Sequence, residues 1–351
     1  MAEDIRFPFL ALVGQREMKM ALLLALINPA MSGVLLVGPR GTGKTTAVRS
    51  LADLVPFVNR SLCQYGCLPE DIETGGMDAV CPDCAKKYGE GQPLTFPDPV
   101  RLVELPLNAR LEDVVGGLDE AAAIHKRMQI KRGLLAQADQ NLLYVDEVNL
   151  LPDEIVDAIL DAAAQGIYTV RRGPVAATYR ARFVFIGSMN PEEGRLRPQI
   201  LDRFGLRLMV PGLADPGERL EAYRRVRAYL TNPKALVAAY AAETIAMRDE
   251  IQAARNLIPR VTLAPEAETA GLEMVRRLQV DSLRAEITMF EAARAHAAAD
   301  GRTQATGDDV RAVAPLALRL RRSQFMVDYF KAQQAEEDEI MTLLDELIPA
   351  R

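Results

Sequence analysis

The 351-residue chain contains no tryptophan, two histidines and four cysteines. With only His125 and His296, it offers few of the imidazole ligands that metal centres commonly use. All four cysteines lie within residues 63–84. This clustering excludes a disulfide framework spread along the chain and points to metal or redox chemistry in one segment. The absence of tryptophan excludes no class of protein.

The sequence also lacks long hydrophobic runs and an excess of positive charge. No apolar stretch approaches the roughly eighteen residues that a membrane span requires, and the first residues have no signal-peptide pattern. We therefore predict a cytoplasmic protein without a membrane span. The net charge of −6 argues against broad contact with nucleic-acid phosphates. A hydrophobic content of 49% and a charged content of 26% are typical of a globular protein.

The strongest motif is an apolar segment, 33–37, that leads directly into Gly-x-x-x-x-Gly-Lys-Thr at 38–45. Glycines allow backbone N–H groups to converge on phosphate oxygens. Lys44 would contact the β- and γ-phosphates, and the Thr45 hydroxyl would bind Mg²⁺. A helix is predicted from Thr45 to about Val55. The predicted nucleotide cradle comprises Gly38, Pro39, Arg40, Gly41, Thr42, Gly43, Lys44, Thr45 and Thr46.

Three further segments place polar residues after apolar runs. The run at 142–145 ends in Asp146, a candidate Mg²⁺ ligand, and Glu147, a candidate base for the attacking water. Asn190 follows the apolar strand predicted at 182–188, where its amide could hold water or contact phosphate, although an Asn-Pro turn explains it equally well. Arg203 is either an arginine finger that neutralises charge on the transferred phosphoryl group or a surface partner of Asp202.

The arrangement of apolar segments predicts two regions. Residues 1–212 alternate strands and helices, which favours an α/β nucleotide-binding domain with a largely parallel sheet and a β-hairpin at 168–179. Within it, 57–98 is rich in Gly, Pro and Cys and is predicted to be an insertion without clear periodicity. Residues 213–351 are predicted to form an all-helical domain without strands, ending in an acidic amphipathic helix.

The cysteines form two close pairs inside the 57–98 insertion. Cys63 and Cys67 are separated by three residues, and Cys81 and Cys84 by two. This spacing could close a tetrahedral thiolate site for Zn²⁺. A thiol–disulfide switch and ordinary thiols without metal remain open alternatives.

These motifs occur in the order and spacing of the AAA+ ATPases, and the chain resembles most closely the ATPase (I) subunits of magnesium chelatase. The similarity is carried by 37–49, 111–119, 144–151 and, most specifically, 190–205. In that family Asn190 corresponds to sensor 1, Arg203 to the finger, and Arg284 to sensor 2, with a role at the nucleotide. The hairpin and an insert at 107–135 also match family features. The four-cysteine pattern departs from the well-known members.

The resemblance implies ATP and Mg²⁺ as cofactors and a homo-oligomeric ring, usually of six subunits, with Arg203 reaching the neighbour's site. It further implies a D subunit with an integrin-like domain and an H subunit that binds porphyrin and inserts Mg²⁺ into protoporphyrin IX. The alternative is a related motor that remodels another complex, for example in cobalt chelation. The net negative charge of the chain disfavours a motor that acts on nucleic acid.

Overall fold

The computed structural model describes residues 5–63, 66–118, 130–173 and 175–322. The strands, numbered along the chain, are β1 (Val34–Val37), β2 (Val58–Ser61), β3 (Thr95–Asp98), β4 (Leu102–Glu104), β5 (Gly116–Leu118), β6 (Ile130–Arg132), β7 (Leu142–Val145), β8 (Ile167–Arg172), β9 (Val175–Arg180), β10 (Val184–Met189), β11 (Leu206–Met209), β12 (Thr262–Leu263) and β13 (Gln304–Ala305).

The α-helices are α1 (Arg16–Ile27), α2 (Lys44–Ser50), α3 (Pro69–Gly75), α4 (Pro82–Gly89), α5 (Leu111–Val115), α6 (Leu134–Gln137), α7 (Asp153–Gln165), α8 (Pro198–Arg203), α9 (Pro216–Thr231), α10 (Pro233–Ala239), α11 (Ala241–Leu257), α12 (Pro265–Arg277), α13 (Arg284–Ala299) and α14 (Gly307–Leu318). Helix α2 is shorter than predicted, because a 3₁₀ turn at Leu51–Asp53 follows it.

A five-stranded parallel sheet in the order β11-β1-β10-β7-β4 carries the site. Every residue of β1, β7 and β10 is buried, as expected for parallel strands covered on both faces. Alternate side chains of β1 enter two cores. Val34 and Leu36 pack with α1, α2 and the C-terminal helices, and Leu35 and Val37 pack with α7. The predicted α/β class with a helical C-terminal region is confirmed.

The helices that follow β11 were predicted to contain no strand. This was wrong in one detail, because β12 and β13 pair in parallel over two residues each. The predicted boundary at residue 212 lies between β11 and α9, and it stays a prediction because one hydrophobic core extends across it. The predicted acidic helix near residues 336–346 and His125 lie outside the described residues. Among the helices that the structure does describe, none is long and apolar enough to cross a membrane.

The insertion at 57–98 is more regular than its sequence suggests. Strands β2 and β3 form an antiparallel ribbon that pairs Val58 with Asp98, and the short helices α3 and α4 lie between them in sequence. The predicted hairpin is confirmed as β8 and β9, paired from Ile167 and Arg180 to the turn. A third antiparallel pair, β5 and β6, lies in the predicted 107–135 insert, of which residues 119–129 are not described.

Candidate functional site

The phosphate loop joins β1 to α2 and is shaped by three glycines. A Cβ on Gly38 would lie 2.3 Å from the carbonyl oxygen of Val210, so this position has no room for a side chain. Gly41 and Gly43 have positive φ of 79° and 87°, which favours glycine. The buried Lys44 donates from Nζ to the carbonyls of Gly38 and Pro39, both at 2.7 Å. The loop therefore holds the ammonium group above its own backbone.

The end of β7 brings Asp146 against the loop. Its Oδ1 accepts from Tyr144 OH at 2.8 Å and from the hydroxyl of Ser188 on the adjacent strand β10. Its Oδ2 lies 3.3 Å from Thr45 Oγ1. Mg²⁺ prefers oxygen ligands and is usually held by one or two protein groups and phosphate oxygens. Thr45 and Asp146 therefore fit the predicted Mg²⁺ site.

Glu147 follows in a left-handed backbone conformation, with φ of 52°. Its backbone N–H donates to Ser188 Oγ at 3.1 Å, which ties the turn to β10. Its carboxylate lies 3.4 Å from the guanidinium of Arg40, which also contacts Glu193. The loop and the strand end are thus joined by an ion pair at the mouth of the site.

Asn190 lies one residue beyond β10, beside β7 in the sheet, and is 4% exposed. Its Oδ1 accepts from the backbone N–H of Glu192 at 3.3 Å, so the amide closes a local Asn-Pro turn. The preceding residue, Met189, accepts from the Gly38 N–H at 3.0 Å. The sequence left two alternatives for Asn190, an Asn-Pro turn and a place at the site. In the structure Asn190 has both.

These side chains surround one cavity of about 750 Å³ at the carboxyl edge of the sheet. The N-terminal segment and α9 close its other sides. Burial lowers the pKa of Lys44, and Asp146 and Glu147 oppose this by favouring the charged ammonium. The cavity is lined, among others, by Phe7, Val13, Arg40, Gly41, Gly43, Lys44, Thr45, Thr46, Asp146, Glu147, Ser188, Asn190, Arg219 and Val226.

Sequence reasoning missed three residues of this site. Tyr144 and Ser188 position Asp146, and Tyr144 could have been found because it shares a strand face with Asp146 two residues later. Arg219 lines the cavity from α9, a helix that no pattern linked to the loop. Its contribution arises only from how the helical region folds back on the sheet.

Arg203 and Arg284 do not line the cavity of their own chain. Arg203, the last residue of α8, pairs with Asp157 at 2.8 Å and with Asp161 at 3.1 Å on α7. The predicted surface pairing with Asp202 is not the one observed. Within one chain, the structure does not bring Arg284 to the nucleotide cradle where a sensor 2 residue was expected.

Asp202 instead joins Arg284 to the segment that carries Arg203. Its carboxylate accepts from Ser282 at 2.8 Å, Arg321 at 2.9 Å and Arg284 at 3.0 Å. Arg207, which is 1% exposed, adds a fourth contact at 3.3 Å. Burial acts to raise the pKa of Asp202, but these hydrogen bonds and charges keep it below its usual value. Arg284 is therefore connected by a hydrogen bond to Asp202, the sequence neighbour of Arg203.

The four cysteines meet in the insertion. Each Sγ lies within 4.8 Å of the other three, and Cys67 and Cys84 are buried. The Cys63 sulfur lies 3.8 Å from that of Cys67 and 3.6 Å from that of Cys81. These separations exceed the roughly 2.05 Å of a disulfide bond. The predicted spatial convergence of the two pairs is present, and the set of donors could hold a metal ion.

Two family models match the chain. The model described as magnesium chelatase, subunit ChlI, covers residues 117–197, and the model described as AAA lid domain covers 273–343. A magnesium-chelatase 38 kDa subunit from Acidiphilium rubrum is 40% identical over 98% of this chain and 99% of its own length. A magnesium-chelatase subunit ChlI homolog from Methanocaldococcus jannaschii is 40% identical over 94% and 90%.

Solved structures agree with the sequence relatives. The chain superimposes on a subunit of the complex between BchI and BchD of magnesium chelatase with a TM-score of 0.51. The two are 39% identical, and the match covers 93% of this chain and 99% of that subunit. Together with the sheet order and the phosphate-loop geometry, these similarities show that the chain belongs to the magnesium-chelatase ChlI family of AAA+ ATPases.

Proposed function

We propose that the cavity at the sheet edge binds MgATP and that its hydrolysis drives a magnesium chelatase. The observation that carries the proposal is the convergence of Lys44, Thr45, Asp146, Glu147 and Asn190 on one cavity. A cavity of this volume is in the range for small-molecule and cofactor sites. Cationic, hydroxyl and carboxylate groups are the set that phosphoryl transfer requires.

Each residue has a role that follows from its atoms. Lys44 neutralises charge on the β- and γ-phosphates, while Thr45 and Asp146 hold Mg²⁺. Glu147 accepts a proton from the attacking water, and the Asn190 amide orients that water. The contact between Arg40 and Glu147 lies at the cavity mouth, so Arg40 can restrain the base until the γ-phosphate offers a competing anion.

The active site needs a second subunit. Arg203 lies outside the cavity of its own chain and is 31% exposed, which supports its action on a neighbour's nucleotide. Arg284 donates a hydrogen bond to Asp202, the residue next to Arg203 in the sequence. We therefore assign Arg284 to the same subunit interface as Arg203. A closed ring repeats this head-to-tail contact at every interface. We propose six subunits, as the family resemblance implies.

The partners are proposed from the relatives. The similarity to a subunit of the complex between BchI and BchD supports a D-type partner, and the family resemblance implies that this partner carries an integrin-like domain. A porphyrin-binding H-type subunit would then insert Mg²⁺ into protoporphyrin IX, and this chain would supply ATP hydrolysis without touching the porphyrin.

The test combines the purified chain with D-type and H-type subunits, ATP, Mg²⁺ and protoporphyrin IX, and measures Mg-protoporphyrin by fluorescence. We expect product with the wild type and none with the Lys44→Ala variant. A known I subunit in place of this chain verifies the other components. If that control works and this chain gives ATP hydrolysis but no Mg-porphyrin, the chelatase proposal is wrong. The same mixture with Co²⁺ and a corrin precursor would then test cobalt chelation.

A further inference from the structure

The cysteine cluster has the dimensions of a site for one tetrahedral metal ion. With a Zn–S bond of about 2.3 Å, the sulfurs at the corners of a regular tetrahedron lie about 3.8 Å apart. The Cys63–Cys67 and Cys63–Cys81 separations are 3.8 and 3.6 Å, and all six pairs of sulfurs fall within 4.8 Å. Four sulfurs that surround one point suit a single ion rather than a cluster of several irons.

The backbone next to the first cysteine pair is held by hydrogen bonds. The Gly66 N–H donates to the Cys63 carbonyl at 3.0 Å, and Gly66 has φ of 76°. The Ser61 hydroxyl donates to the Cys67 carbonyl at 2.7 Å and accepts from the Cys63 N–H at 3.1 Å. Cys63 and Cys67 are therefore each held by hydrogen bonds to the described residues Ser61 and Gly66.

The second pair is joined to the first through sulfur. The backbone N–H of Cys81 points at Cys67 Sγ, with an N–S distance of 3.4 Å. Hydrogen bonds from outer groups orient metal ligands and disperse the charge of thiolates. Cys81 immediately precedes α4, and the buried Cys84 lies in the first turn of that helix. Two chain segments thus present two sulfurs each.

The insertion has little else to hold it together. Among the described residues of the insertion, its separate hydrophobic cluster buries Cys67, Cys84 and Leu94. Helices α3 and α4 have seven and eight residues, which is too short for stability without tertiary contacts. Segments of this size commonly need a metal or a disulfide to compensate for a small core.

We propose that Cys63, Cys67, Cys81 and Cys84 bind one structural Zn²⁺ that holds the 57–98 insertion in its fold. The site is independent of the MgATP cavity, which none of the described residues of the insertion lines. Because protein sulfurs supply all four ligands, no position is left for substrate, and the ion acts as a structural element. The four thiols ionise as the metal binds, and their protons pass to solvent.

The zinc site also fixes the base of the β8–β9 hairpin. Arg180, at the end of β9, donates to the carbonyl of Gly66 at 3.0 Å and pairs with the carboxylate of Asp71 on α3. Gly66 is adjacent to the ligand Cys67. A Zn²⁺ with four thiolates carries a net charge of −2, which the Arg180 guanidinium, itself in a favourable electrostatic interaction with Cys67, offsets in part. Loss of the ion would therefore release the attachment of the hairpin as well as the insertion.

The first experiment measures metal content in the full-length protein purified without chelator. We expect about one Zn per chain by elemental analysis, and almost none in Cys81→Ser and Cys84→Ser variants. The matched control is Glu73→Gln, which changes an exposed side chain on α3 and leaves all four cysteines in place, so this variant should retain its zinc. Tightly bound iron, intact disulfides in the wild type, or four thiols with no metal would each overturn the proposal.

A second experiment uses wild-type protein, so that it does not depend on variants that fail to fold. A thiol-reactive mercurial releases the metal, a chelator removes it, and thiol reductant with Zn²⁺ restores it. Hydrogen exchange should speed up at least tenfold in 57–98 and around Arg180 on metal removal, and recover on reloading. Binding of a non-hydrolysable ATP analogue should persist in the stripped protein. Unchanged exchange in both segments would show that zinc, if bound, has no structural role.

Discussion

At the carboxyl edge of the sheet, Lys44 and Asp146 lie on elements that continue fully buried strands, whereas in the insertion only Cys84 lies on a helix and the other three cysteines lie in irregular segments, with a small core among the described residues. Strands β1 and β7 are buried throughout, and both faces of the sheet are covered. The separate cluster in the insertion buries three of its described residues. The first region receives its geometry from hydrophobic packing, and the second receives it from its sulfur ligands.

This difference separates chemistry from stability. A polar side chain at the sheet edge can be changed while the buried strands still hold the loop in place, so the expected loss is in binding or hydrolysis. In the insertion, a change of ligand removes the element that organises the segment, so the expected loss is in local structure. The two regions should therefore respond independently to substitution.

The largest effect is expected for Lys44→Ala, which removes the cation of the phosphate loop. ATP hydrolysis should fall to background, because neither ground-state phosphate binding nor the transition state retains this charge. Zinc content and hydrogen exchange of 57–98 should match the wild type. Steady-state phosphate release measures ATP hydrolysis, and elemental analysis measures the zinc content. Wild-type turnover in this variant would contradict the assignment of the site, and loss of zinc would contradict the independence of the regions.

Arg203→Ala tests whether the sheet edge is completed by a neighbouring subunit. We expect hydrolysis to fall by about 10³-fold in rings that still assemble, the scale of a lost arginine finger. Mixing this variant with Lys44→Ala should restore activity, because about a quarter of random interfaces then combine an intact loop with an intact finger. Assembled mixed rings with no recovery would show that Arg203 does not act in trans.

The sequence was a good guide where the chemistry coincides with buried strands. Asp146, Glu147 and Asn190 were expected at one edge because parallel strands end there, and the structure brings them to one cavity. The hairpin was predicted from two strand segments on either side of a Gly-Pro pair, and the helical C-terminal region from its composition. Both signals are local in the sequence. Arg207 shows what a local sequence pattern cannot predict. This arginine is buried in β11, and the carbonyl of Leu320, 113 residues away, accepts a hydrogen bond from it at 2.7 Å.

The insertion was predicted poorly because little in it is local. Strand β2 pairs with residues more than thirty positions later, and Pro97 within β3 weakens its strand signal. The spacing of the cysteines suggested that they converge, but the Ser61 hydrogen bonds and the contact of Arg180 with Gly66 have no sequence signature. Such contacts depend on where the hairpin packs.

A moderate effect is expected for Arg180→Leu, which removes the connection between the hairpin and the insertion. The Gly66 carbonyl and the Asp71 carboxylate each lose a partner in a half-buried setting. Leaving such groups unpaired costs about 1–3 kcal/mol, so exchange in β9 and α3 should speed up by tenfold or more. Zinc should stay bound, because the four ligands are unchanged. Zinc loss in this variant would show that the hairpin holds the metal site rather than the reverse.

The smallest effect is expected for Glu70→Gln, which removes the other ion pair between these segments. Glu70 lies 3.6 Å from Arg182, and the two side chains are 71% and 45% exposed. Exposed pairs of this kind contribute about 0–1 kcal/mol, because water screens the charges. Hydrogen exchange of α3 and β9 should therefore match the wild type while Arg180→Leu departs from it. Equal effects of the two variants would mean that many exposed charges attach the insertion to the hairpin. Arg180 would then contribute no more than Arg182 does.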